Sequence, residues 1–376
     1  MLNELKILLE ELNDRIDNHR QVKSERLFIG ALNWEKVNRL PLVVTFPWPA
    51  GNSLNPYPHR EIFDNPEKML FNELVHAFQT SIYLHHELGD DLPYTVRPNF
   101  GTVVMASHFG GNIEQRDDNP PWVRHFKSLD ECEIIFDTDT NDFSRGYLQK
   151  VIENYRFFQD VFAYYPNLQS AVKVVLPDLQ GPLDTLELLR GSVLYEDFIM
   201  NPEWVDKGLR LVAGAQVIFA RVLQKYTTDG PAGYSHQHAA TIRGNILIRN
   251  DSAIMISPGM YTGQVAQHDE FVLNELGGGG VHSCGRIDYN IPEIFRLPSI
   301  RCFDFGQSYL NDIDSVYKQA RAAGIPLIRL RLSRDELLAG NLMERFPTGV
   351  TLVYDADSFD DAKAVVSEYK NKYGDL

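Results

Sequence analysis

The chain has 376 residues, 44% of them hydrophobic and 23% charged, which is ample apolar material for a large core. Its formal charge of −15 at pH 7, with no Lys/Arg-rich block, excludes the basic face that a nucleic-acid backbone requires. No stretch approaches the roughly 18 consecutive apolar residues of a membrane helix, and the three cysteines (Cys132, Cys284, Cys302) are too few for a disulfide framework, so reduced thiols in a cytoplasm are expected.

The first 36 residues carry Leu2, Leu5, Leu8, Leu9, Leu12 and Ile16 at helical spacing, which predicts a helical extension over 1–36 and lacks the apolar stretch and cleavage site of a signal peptide. The run LPLVVTF (40–46), closed by Pro47-Trp48-Pro49, suits a strand buried on both faces. Helical register returns over 66–88. Further strands are predicted at 100–106, 172–177, 245–249, 278–284, 299–305, 326–332 and 350–354. Helical stretches separate most of them, at 144–163, 183–225, 261–276, 308–323 and 359–372. Counting the first run, eight strands alternate with helices, which implies parallel strands with right-handed crossovers. The expected fold class is α/β: a single (β/α)8 TIM barrel over 37–376 with an N-terminal helical extension. Residues 107–143 read as a long polar excursion over the barrel mouth, and no repeat or linker divides the chain.

The segment LGGGGVHSCGR (276–286) is the most informative. Residues two apart on a strand share a face, so His282 and Cys284 project together, and imidazole with thiolate is a ligand pair suited to zinc. The preceding glycines remove bulk where other groups approach closely. The alternative is a histidine and a small hydrophobe that share a strand face by coincidence.

HSCG after a glycine-rich strand resembles the His-x-Cys-Gly signature of the uroporphyrinogen decarboxylase-like superfamily, and within it the zinc- and corrinoid-dependent methyltransferases. ERLFIGALNWEKVNRLPLVV (25–44) is similar to the family's entry helix and first strand. LPDLQGPLDTLELLRGSVLYEDFIMNPEWVDKGL (176–209) and ILIRNDSAIMISPGMY (246–261) resemble two further blocks of it. The arginine-containing N-terminal run of the porphyrinogen decarboxylases has no counterpart in VVTFPWPAGNSLNPYPHR. The branch's third zinc ligand, a cysteine on the last strand, is also missing from GVTLVYDADSFDDA (349–362). Asp355, Asp357, Asp304 and Cys302 are the alternatives for that place.

The resemblance implies a methyl transfer in which zinc on His282 and Cys284 activates a thiol. A methylcorrinoid would come from a separate corrinoid protein docking at the barrel mouth, because the chain carries no cobalamin-binding module; a homodimer is left open. A metal-free decarboxylase of the same superfamily is the alternative, with Asp178, Asp251 or Tyr354 moving protons and Arg329 or Arg331 binding carboxylates. A barrel that binds a small molecule without chemistry is a third. Gln180, Gln307 and Trp48 are candidate substrate contacts, because ligands of such barrels sit at the carboxyl ends of the strands. His236 and His238 are candidate ligands only if their loop folds back over the mouth. For Asp178 and Asp251 the plain alternative is a helix cap or a partner for a core arginine.

Overall fold

The computed structural model describes residues 1–115, 118–229, 233–237 and 239–376. Helix α1 (Asn3–Arg15) buries Leu5, Leu8, Leu9 and Leu12, and helix α2 (Asn18–Leu32), capped by the Asp17 carboxylate, leads into the first strand. Each leucine so buried contributes about 2 kcal/mol, an upper figure against a fully extended chain.

Eight parallel strands follow: β1 (Leu42–Thr45), β2 (Thr95–Val96), β3 (Lys173–Val174), β4 (Leu247–Arg249), β5 (Gly279–Ser283), β6 (Ile300–Phe305), β7 (Leu327–Arg331) and β8 (Val350–Asp355). Six of them form one sheet in the order β1-β8-β7-β6-β5-β4, and β2 pairs with β3. The two sheets meet where Gln180 bridges Arg249 and the Gly181 N–H donates to the Arg249 carbonyl at 3.0 Å. On the other side of β1 no strand ladder continues among the described residues. There the Asp90 and Asp91 carboxylates accept the N–H groups of Val44 (2.7 Å) and Leu42 (2.9 Å). Buried Arg39 holds Asp91 in place through two hydrogen bonds. Side chains thus satisfy the backbone edge that a further ladder would have paired. The result is a mixed α/β fold of TIM-barrel-like character, without one continuous hydrogen-bonded cylinder among the described residues.

The apolar, β-branched run 100–106 is not a strand. Its residues form a turn and the short helix Val104–His108, while the second strand is the two-residue Thr95–Val96, between Pro93 and Pro98. The long helical stretch 183–225 is broken into Pro182–Arg190, Leu194–Met200 and Pro202–Leu223, the last beginning at Pro202. Within 66–88 the helix stops at Val75, and a two-residue turn at Phe78-Gln79 interrupts it. No described helix is long and apolar enough to cross a membrane.

Candidate functional site

Strand register assembles the site. In β4 and β5, Arg249 lies opposite His282, so the residues two further on, Asp251 and Cys284, meet just beyond the strand ends. The Cys284 N–H donates to Asp251 Oδ1 at 2.6 Å. In β5 and β6, Asp304 lies opposite His282, and His282 Nδ1 is 2.7 Å from Asp304 Oδ2. Asp304 is fully buried and also accepts from Arg329 Nε (2.7 Å) and Nη2. Burial pushes its pKa upward, but Arg329 and His282 outweigh this and hold it well below the ordinary carboxylate range. Asp304 is therefore an anion that takes the Nδ1–H of His282 and leaves the Nε2 lone pair for the other side of the ring.

That lone pair faces the cluster. His282 Nε2 is 3.3 Å from Asp251 Oδ1 and 3.5 Å from Cys284 Sγ, and the three ligand atoms lie within 4.8 Å of one another. Zinc bonds of about 2.0–2.3 Å in tetrahedral array give ligand-to-ligand edges of about 3.3–3.7 Å, so the nitrogen-centred separations fit such an ion. Mixed oxygen, nitrogen and sulfur donors suit zinc, and a carboxylate behind the histidine is the usual outer support. Burial first, and then the charge of Asp251, push the Cys284 thiol up to about 12. A bound cation would reverse that balance by favouring the thiolate. Glycine makes room for the sulfurs: a Cβ on Gly306 would stand 2.3 Å from Cys284 Sγ, and one on Gly280 2.6 Å from Cys302 Sγ.

The other proposed ligands lie elsewhere. Asp304 supports His282 from behind. Asp355 binds Arg331 Nε (3.0 Å) and the Thr45 hydroxyl (2.6 Å) at the rim. Cys302 is two residues below Asp304 on the same strand, one pleat repeat deeper, and its thiol donates to the Arg243 carbonyl. Asp357 follows β8, and its N–H donates to the Asp361 carboxylate at 3.3 Å. The member that joins His282 and Cys284 is Asp251, which the sequence had suggested for proton transfer.

These residues open onto a cavity of about 960 Å³. Asp178, Gln180, Arg329 and Arg331 line it, as does Trp122 from the excursion over 107–143. Gln180 donates to Asp178 at 2.7 Å. Tyr354 faces away and donates to Asp361 at 3.0 Å, as expected for a residue one position out of phase on an alternating strand. Gln307 is spent on the Gly285 N–H (2.8 Å), and the Trp48 indole on the Leu54 carbonyl (3.1 Å). Trp48 packs against His76, which lines the cavity, and so stands behind the wall. His236 pairs with Asp229 at 2.8 Å and lines a separate small cavity with Asn18 and Lys173; His238 lies outside the described residues.

Sequence reasoning missed Arg97, Arg249 and Glu73. All three are buried and line the cavity. A row of ion pairs crosses the interior from Arg97 to Asp178 (3.8 Å), to Arg249 (3.5 Å), to Asp304 (3.7 Å) and so to His282. Burial pushes Glu73 up and Arg97 down from their ordinary pKa values, and each partly restrains the other. Two features of strained backbone aim side chains here. Arg329 has φ 57° at a register shift in β7, and Phe78 and Gln79 have φ 51° and 59° at the centre of a two-residue turn closed by Ala77 and Thr80. Left-handed backbone costs a non-glycine residue about 1–3 kcal/mol, and such strain clusters at functional sites.

The chain matches no family model and no curated relative. Among solved structures its fold is similar to a methyltransferase from Methanosarcina mazei, with a TM-score of 0.65 over 93% of this chain and 98% of that one, at 16% identity.

Proposed function

We propose that this chain is a zinc-dependent methyltransferase of the uroporphyrinogen decarboxylase-like superfamily, working in the cytoplasm on an eight-stranded barrel. It would move a methyl group between a corrinoid held by a partner protein and a small thiol. The observation that carries this is the clustering of Asp251, His282 and Cys284 ligand atoms within 4.8 Å of one another in the cavity wall, with His282 Nδ1 turned to Asp304. The fold's likeness to the Methanosarcina mazei methyltransferase supports it.

Asp251, His282 and Cys284 would hold the ion and leave one position open toward the cavity. Zinc bound there lowers the pKa of a thiol and so supplies a thiolate nucleophile at neutral pH. Asp304 keeps the proton on His282 Nδ1, and Arg329 keeps Asp304 ionised and in place. Pro120, Pro121 and Trp122 line part of the same cavity.

One observation favours a second reading. Arg97, Arg249, Arg329 and Arg331 all line the cavity, as a decarboxylase of an anionic substrate would require, with Asp178 or Asp251 moving the proton.

The test is zinc content and methyl transfer from methylcobalamin to a thiol, for wild type, Cys284→Ser and Cys302→Ser. Wild type and Cys302→Ser should hold one zinc and transfer methyl, and Cys284→Ser should do neither. Wild type that retains no zinc after reconstitution ends the methyl-transfer mechanism and leaves the decarboxylase.

A further inference from the structure

A small cavity lies at the amino ends of β2 and β3, where Tyr94 and Lys173 line it, whereas the metal ligands stand at the carboxyl ends of their strands. Two elements supply its polar wall. Helix α2 presents Asn18, Gln21 and Glu25, three and four residues apart on one face. The antiparallel hairpin of Tyr234–Gln237 and Ala240–Arg243 presents His236 and Thr241, which are cross-strand partners and so share a face. The next rung faces the other way. There Gln237 accepts from Arg249 Nη2 at 3.1 Å, at the wall of the large cavity. The two cavities are separate, and one hairpin touches the wall of each.

Some groups of the small cavity are already paired. Gln21 donates to the Leu92 carbonyl at 3.3 Å and accepts from the Tyr94 N–H at 3.4 Å, and His236 Nδ1 is 2.8 Å from Asp229. Others are not. Asn18 Oδ1, Glu25 Oε1 and Thr241 Oγ1 are buried and find no hydrogen-bond partner among the described residues, and Thr241 as a whole is 1% exposed. Buried acceptors without donors cost free energy until a donor reaches them. The Lys173 ammonium likewise has no hydrogen bond or ion pair among the described residues. A carboxylate and an ammonium thus line one small cavity without meeting each other. Two neutral oxygens beside the Glu25 carboxylate suit a bound cationic donor, and Lys173 suits an anion. The volume, about 70 Å³, has room for about five non-hydrogen atoms.

We propose that this cavity is a second binding site, for a small zwitterion of the glycine kind. Its ammonium is taken by Glu25, Asn18 and Thr241, and its carboxylate by Lys173. The site stands whether or not Asp251, His282 and Cys284 hold zinc.

The experiment titrates zinc-free, full-length protein with glycine, methylamine and acetate. Calorimetry gives the affinities, and the Thr241 methyl resonance, identified by its absence in Thr241→Ser, gives the place. Glycine should shift that resonance, with a dissociation constant between about a micromolar and ten millimolar, the range open to so few atoms. Methylamine and acetate, each with one of the two charges, should bind about tenfold or more weakly. Glu25→Gln and Lys173→Met, both at partly exposed positions, should each weaken glycine about tenfold or more. Thr241→Val should weaken glycine as well, yet melt no lower than wild type in its absence, because it removes a buried hydroxyl that has no partner. An unmoved Thr241 methyl, methylamine or acetate binding as tightly as glycine, or unchanged glycine affinity in folded Glu25→Gln or Lys173→Met each overturns the proposal.

Discussion

Replacing Asp251 by Asn isolates the third ligand more cleanly than any change at His282 or Cys284. The asparagine Oδ1 can still accept the Cys284 N–H that Asp251 now takes at 2.6 Å, so the local backbone stays tied. What is lost is the anionic donor. A full protein ligand set binds zinc with about 10–16 kcal/mol, or about 3 kcal/mol for each of four positions, so the dissociation constant should rise about a hundredfold. The metal-free protein should not suffer in parallel. The Asp251 side chain is 45% exposed, so its removal leaves no buried charge unpaired. It also relieves Asp184, which burial and then the charge of Asp251 push up to about 7. Asp251→Asn should therefore be at least as stable as wild type without zinc, yet bind zinc far more weakly. Competition against a chromophoric chelator gives the affinity, and urea melts of metal-free protein give the stability. Zinc affinity within about threefold of wild type would refute the assignment of Asp251 as a ligand.

Asp304→Asn acts on the same centre through His282 and has the opposite stability signature. It leaves Arg329 buried without its anion, at a cost of about 3–5 kcal/mol, and frees the His282 tautomer, which should weaken zinc about 10–100-fold; wild-type stability in a urea melt would contradict this. Asp269 offers a pH test away from the metal. It is fully buried, accepts from Asn250 and the Tyr261 hydroxyl, and is pushed up to about 7 by burial. Its folded pKa exceeds the unfolded one, so its contribution is complete below about pH 4 and is lost as pH rises through about 7. Wild type should then lose more melting temperature between about pH 5 and 8 than Asp269→Asn does, and parallel profiles would show that Asp269 does not titrate in that window.

How far the sequence could be read depended on whether neighbouring strands were also neighbours in the chain. The β4–β5–β6 part of the sheet follows chain order, so a period of two and parallel pairing bring Asp251 beside Cys284 and Asp304 beside His282. The pairing of Asp251 with Cys284 was available in principle: both stand two residues past a matched pair, Arg249 and His282. It was missed because register between strands is not written in either strand alone. Tyr354 was misplaced for the same reason, by one residue of phase on β8, which turned its hydroxyl outward to Asp361. Arg97 was beyond reach for a different one. Its strand is two residues long, and the apolar β-branched run a few residues later, 100–106, matches the strand pattern better, although Val104–His108 coils into a helix. Composition sees a short buried helix and a short buried strand as the same apolar run. The strained turn at Phe78-Gln79 was equally silent, because such turns are usually marked by Asn or Gly, whereas here tertiary packing holds a phenylalanine and a glutamine in left-handed backbone. Local rules thus located the ligands carried by regular strands, and they failed where the surrounding fold overrides local preference, which is also where the cavity acquires Arg97 and Phe78.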